Sequence, residues 1–201
     1  KADGLYITTA GVGRIFPGEP VGGARARPGD SVLLSGAIGD HGIAVLEARG
    51  ELGFSSTVVS DVAPLNHMIA ALLKAGCKVH VLRDPTRGGV AAALNELARQ
   101  SRVGMLVRES ALPIREAVSA TCELLDFDPL YVANEGKLVA IVAAEAAEAI
   151  LRGMKDHPLG RDAAIIGEVR EAPPGKVVLR TPIGTTRLLD MLVGEPLPRI
   201  C

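Results

Sequence analysis

The chain has 201 residues, enough for one large domain or two small ones, and its 48% hydrophobic and 22% charged residues suit a globular core. A net charge of −1 offers no field for a polyanion, and 2% aromatics with no Trp argue against a base-stacking platform. The longest plain apolar run, Leu138 to Ala144, is far short of the roughly 20 residues a membrane-spanning helix needs, and no signal peptide opens the chain.

The opening Lys1 to Ala10 has no helix cap and reads as a strand entered midway, so the chain is expected to start inside a domain of a larger protein. Pro17 to Gly29 holds three Pro and four Gly and reads as a linker or irregular crossing. Asp30 to Ser35 is a short apolar strand running into Gly36-Ala-Ile-Gly-Asp-His-Gly42 and a helix from Ile43 to Arg49. In that junction Asp40 reads as an N-cap and His41 as a first-turn surface residue. Asp61 is placed to cap a second helix with Pro64 in its first turn, Leu65, Met68, Ile69, Leu72 and Leu73 on one face, and Gly76 as its stop. Lys78 to Leu82 is a strand, and Asp84-Pro-Thr-Arg-Gly-Gly89 opens a third helix through about Gln100.

Further along, Val103 to Arg108 is a strand and Pro113 begins a helix through about Leu125. Leu130 to Ala133 and Lys137 to Ala144 read as strands around the turn Asn134-Glu135-Gly136, and Ala146 to Met154 as a helix. Ala163 to Val169 is a strand, and Val177 to Arg180 with Thr185 to Leu189 fit a hairpin. The remainder to Cys201 carries two prolines and is expected to be an extended, exposed tail. Alternating elements with late hairpins predict an α+β fold, a mixed sheet with covering helices. No internal repeat is visible.

The three cysteines, Cys77, Cys122 and Cys201, show neither disulfide nor zinc spacing, which points to a reducing cytoplasm. Cys122 shares an apolar helical face with Val118 and Leu125 and reads as core. Cys201 is the last residue, beyond any core pattern: it is either a presented thiol or an incidental end. The Asp84–Gly89 turn is either an anion site, with Arg87 as a forked donor and Gly88 and Gly89 allowing close approach, or a tight turn capped by Asp84 or Thr86. No P-loop occurs, since Gly136-Lys137 is followed by Leu and Gly175-Lys176 by Val, and Gly11-Val-Gly13 is not a dinucleotide fingerprint. Glu135 is a turn residue or, on a rigid turn, a general base.

Taken together, SGAIGDHG (Ser35 to Gly42), DPTRGG (Asp84 to Gly89), NEGK (Asn134 to Lys137), IGEV (Ile166 to Val169) and the ending PRIC (Pro198 to Cys201) closely resemble the HypE family. These are carbamoyl dehydratases of NiFe-hydrogenase maturation, in a superfamily with aminoimidazole ribonucleotide synthetase, selenophosphate synthetase and thiamine monophosphate kinase. The resemblance covers essentially the whole chain. It implies a fold like the C-terminal domain of aminoimidazole ribonucleotide synthetase, with residues 1–22 a remnant of an N-terminal ATP-binding domain, 23–190 the α+β domain and 191–201 a mobile tail. It implies ATP and Mg2+ as cofactors, with acidic metal ligands and an ATP lysine preceding Lys1, and no metal ligands in the present chain.

The implied chemistry is specific. A HypF-type carbamoyltransferase loads a carbamoyl group on Cys201, the tail inserts beside ATP, the carbamoyl oxygen is phosphorylated, and loss of phosphate leaves a thiocyanate, a masked cyanide for iron. By the same resemblance Glu135 is the base, and Asp84, Thr86, Arg87, Gly88, Gly89, His41 and Asn134 lie on the phosphate side. His41 belongs to the GDHG motif without an assigned role, and Pro198, Arg199 and Ile200 guide the tail. A HypC–HypD type iron scaffold and a second copy of the full-length protein are the other implied partners. Two further readings stay open: another ATP-dependent kinase or synthetase of the superfamily, and a docking domain without catalysis.

Overall fold

The computed structural model describes residues 4, 7–8, 10–13, 20–74 and 78–191. Strands β1 (Ser31–Leu34), β2 (Val79–Arg83), β3 (Gly104–Arg108), β4 (Val139–Val142), β5 (Ala164–Arg170), β6 (Val177–Arg180) and β7 (Thr186–Leu188) form one sheet in the order β2-β4-β1-β5-β3-β6-β7. All neighbours are antiparallel except β3 and β6, which run parallel. Helices α1 (Asp40–Ala48), α2 (Asn66–Lys74), α3 (Gly89–Ser101), α4 (Glu116–Leu125) and α5 (Ala147–Lys155) cover it. This is the expected mixed-sheet α+β architecture, including the late hairpin of β6 and β7.

Period-two alternation divides the core between the two faces of the sheet. Val32, Leu34, Val139 and Ile141 pack against Val90, Ala91, Leu94, Leu97 and Ala98 of α3. The intervening Leu33, Ala140 and Val142 pack against Met68 and Leu72 of α2 and Ile150 and Met154 of α5. Central strands covered on both faces must be apolar throughout, which is why β1 and β4 read as continuous hydrophobic runs.

A third cluster joins α1 to α4 through Ile43, Leu46, Val118 and Cys122. Cys122 is core, as its helical face predicts, and burial, reinforced by the nearby Asp128 carboxylate, pushes its thiol up from 9.0 to about 11. In the unfolded chain the thiol ionises first, so between those two values the folded state holds more protons and stability falls as pH rises. Urea unfolding across pH 9 to 11 is expected to show a Cys122 contribution of about 2–3 kcal/mol, lost as pH rises through the window and diminished in Cys122→Ala.

Four local expectations are corrected. Residues 130–133 are not a strand: Pro129–Tyr131 is a 3-10 turn whose Asp128 carboxylate accepts the Leu130 N–H at 3.0 Å. An Asp-Pro start outranks the short apolar run that follows it. The helix expected from Pro113 begins at Glu116, because Pro113 and Ile114 are engaged in an extended contact with Ile38. The first helix starts at Asp40 rather than Ile43, with Gly39 as N-cap at φ 90° and Asp40 inside the first turn. Finally, Asp61 and Pro64 both precede α2, so Asp61 caps nothing there.

Candidate active site

Three of the motif loops meet at one buried side chain. Asn134 is fully buried, and its Oδ1 accepts the Gly39 N–H at 2.8 Å. Its two amide hydrogens go to the Pro85 carbonyl at 3.1 Å and the Val132 carbonyl at 3.0 Å, and its backbone N–H also reaches Pro85 at 3.3 Å. The GDHG junction, the DPTRGG turn and the NEGK segment are thereby fixed to one another. Both amide hydrogens are used inside the protein, so Asn134 joins loops and has no donor left to face a phosphate.

The two glycines of the DPTRGG turn answer to the protein's own backbone. Gly88 is the N-cap of α3 at φ 69°, without a side-chain cap from Asp84 or Thr86. Gly89, at φ 61°, packs so closely on the Leu130 and Val132 carbonyls that a Cβ there would collide with Leu130 O. Thr86 Oγ1 instead donates to Asp84 Oδ2 at 2.7 Å. Asp84, Thr86 and Arg87 line a cleft of about 370 Å³ together with Arg83 and Glu96, which pair at 2.8 Å. Guanidiniums beside the start of a 13-residue helix are donors of the kind a phosphate needs, and Arg87 would face it, whereas the Thr86 hydroxyl proton is already given to Asp84.

Glu135 stands on the other side of Asn134. Its side chain is one-third exposed, and its backbone N–H donates to Asp61 Oδ1 at 3.1 Å. Asp61 is buried and its other oxygen lies 3.1 Å from the Lys137 ammonium, also buried. Gly136 packs against the Asp61 carbonyl and the Ala63 N–H, leaving no room for a Cβ. An ion pair this deep is costly to desolvate, and removing one partner would strand the other, so the pair locks the turn that carries Glu135. His41 is drawn in as well. Its Nδ1 is 2.9 Å from Ser60 Oγ and its Nε2 is 4.0 Å from Glu135 Oε1. The expected surface histidine is thus largely buried beside the carboxylate.

Below this group, Asp40 is buried and pairs with Arg115 at 2.8 Å, while its Oδ1 has no hydrogen-bond partner. Burial raises its carboxyl above the ordinary range, opposed by Arg115 and Lys137. Asp40, Asp61, Arg115 and Lys137 line a second cleft of about 460 Å³. Sequence reasoning took Asp61 and Asp40 as helix caps and gave Lys137 and Ser60 no role. Their contacts span 19 to 76 residues, and no local pattern announces them. Among the described residues, no group of three or more His, Cys, Asp or Glu could hold a metal ion, and no helix is long and apolar enough to cross a membrane. Cys201, Pro198, Arg199 and Ile200 lie outside the described residues, as do Cys77 and Gly76.

The model of the C-terminal domain of AIR synthase related proteins matches residues 27–180. The chain belongs to this family. A curated relative from Azotobacter vinelandii named carbamoyl dehydratase HypE is 55% identical over the whole chain, which spans 59% of that relative. A crystal structure of HypE in complex with ATP has a TM-score of 0.84 at 49% identity, covering 90% of this chain and 55% of that one. A HypE–HypF complex gives 0.84 at 47% identity, covering 89% and 58%. The resemblance drawn from the five motifs is therefore borne out by relatives of that name, and so is the fold.

Proposed function

We propose that this chain belongs to an ATP-dependent carbamoyl dehydratase, in which it supplies the carrier, Cys201, and the base, Glu135. The observation that carries the reading is Glu135 itself. It is a partly exposed carboxylate, held on a locked turn by Asp61 and Lys137 and tied through Asn134 to the turn bearing Thr86 and Arg87. A relative 55% identical over the whole chain carries the dehydratase name, and related proteins have been crystallised with ATP and with HypF.

The reaction converts a carbamoyl group on sulfur to a nitrile on sulfur, with the thiol as a labile carrier bond. ATP supplies the means of turning the carbamoyl oxygen into a leaving group. Arg87 would face its phosphates and offset the charge that grows as phosphate departs, with Thr86 beside it, its hydroxyl held by Asp84. Glu135 takes a proton from the carbamoyl nitrogen, and residues 191–201 act as the arm, with Pro198, Arg199 and Ile200 guiding Cys201 to it. Within the same proposal a HypF-type transferase loads the thiol and a HypC–HypD type scaffold receives the cyanide. Mg2+ accompanies the nucleotide, the full-length protein pairs as a homodimer, and the work is done in the cytoplasm.

Mass spectrometry tests this on the longer protein that carries the sequence, supplied with ATP and a carbamoyl donor system. Cys201 is expected to gain a carbamoyl group and then lose one water. Persistence of that modification in Cys201→Ala removes the carrier assignment. Undiminished turnover after deletion of Pro196 to Cys201 would favour a small-molecule kinase or synthetase instead.

A further inference from the structure

The geometry points to His41 as the proton acceptor that discharges Glu135, with Ser60 holding its ring; this deepens the dehydratase reading and rests on it. Turning a carbamoyl group into a nitrile removes its oxygen and both protons of its nitrogen. The oxygen leaves with the electron pair of its C–O bond as phosphate, and the nitrogen uses the electrons of its two N–H bonds to complete the triple bond to carbon. One of the two protons ends on the departing phosphate and the other in solvent. A single carboxylate holds one proton at a time. Glu135 can take the proton bound for solvent, and it is ready for the next turnover only once that proton has gone elsewhere.

Among the described residues, His41 is a titratable side chain placed to receive it. Its Nε2 lies 4.0 Å from Glu135 Oε1, a gap that a side-chain rotation of the one-third-exposed glutamate would have to close for the transfer. The ring's other nitrogen, Nδ1, is 2.9 Å from Ser60 Oγ, and Ser60 Oγ also accepts the Val62 N–H at 3.3 Å. With Nδ1–H donating to Ser60, Nε2 is bare and faces the carboxylate, the tautomer the transfer requires. A proton entering at Nε2 lets the Nδ1 proton leave past the half-buried Ser60 to solvent.

The arrangement is built rather than incidental, because one short segment holds both partners. Ser60 fixes His41, and the next residue, Asp61, accepts the Glu135 N–H. Among the described residues the other carboxylates nearby each face a cation, Asp61 the Lys137 ammonium at 3.1 Å and Asp40 Arg115 at 2.8 Å, and both are more deeply buried than His41. His41 acts through Glu135 and is a positioning and relay residue, without contact to the substrate.

The test uses the longer protein with Cys201 already carbamoylated, and follows loss of water in a single turnover with ATP. His41→Gln keeps an amide that can bond Ser60 but cannot carry a proton. It is expected to slow dehydration about a hundredfold, the low end of what a placed proton acceptor supplies. His41→Ala is expected to be equally slow and to recover at least tenfold when imidazole is added, which a purely structural role would not produce. A His41→Gln rate within tenfold of wild type, or no recovery with imidazole, overturns the relay. If the wild-type protein itself never carbamoylates or never dehydrates, the functional reading fails instead.

Discussion

Asn134→Ala is expected to lower the free energy of unfolding by about 3–4 kcal/mol, read as a lower urea midpoint with an unchanged slope. The deletion leaves the Gly39 N–H and the Val132 carbonyl without the partners they have now, at 2.8 Å and 3.0 Å in the interior. Each buried orphan costs about 1–3 kcal/mol, and the void adds to it. Asn134→Asp is expected to be no milder at neutral pH, since it sets a carboxylate against the Pro85 and Val132 carbonyls. Because Asn134 is where the GDHG, DPTRGG and NEGK segments join, any activity should fall along with the stability. A loss below about 1 kcal/mol would mean that the loops hold one another without it.

Glu135→Gln is expected to behave in the opposite way. The bond that locks its turn comes from the backbone N–H to Asp61, and the side chain's ionisable neighbour His41 stands 4.0 Å away. Stability should therefore change by no more than about 0.5 kcal/mol. Dehydration in a single turnover should slow about a thousandfold, as for loss of a general base, and the S-carbamoyl form of Cys201 should accumulate in the full-length protein. A rate within tenfold of wild type would remove Glu135 from the role of base. The two variants together separate the residue that joins the loops from the residue proposed as the base.

Much of this was readable from local pattern. The unbroken apolar runs Val32-Leu33-Leu34 and Val139 to Val142 mark strands packed on both faces, and the face of α3 made by Val90, Leu94, Leu97 and Ala98 packs on the sheet as its spacing requires. Cys122 could be assigned to the core from its neighbours on the same helical face. Where two local signals competed, the stereochemically stricter one prevailed. At residues 128–131 an Asp-Pro pair set a 3-10 turn in place of a strand, because proline fixes φ and the carboxylate satisfies a free N–H.

The candidate site divides in the same manner. The five motifs, taken as chemistry and as resemblance, were enough to select Glu135 and the Asp84–Gly89 turn. They did not reveal that Gly89 is a glycine because the Leu130 and Val132 carbonyls crowd it, or that Asp61 serves the Glu135 turn rather than a helix. Periodicity, caps and turn residues act over a few positions, so the chain by itself determined its elements, its core faces and its family. Asp61 with Glu135, His41 with Ser60 and Asn134 with Gly39 are pairings across 74, 19 and 95 residues. Only the folded sheet and its loops bring such groups within hydrogen-bond reach, because burial and partner choice are properties of three-dimensional neighbours and leave no period along the chain.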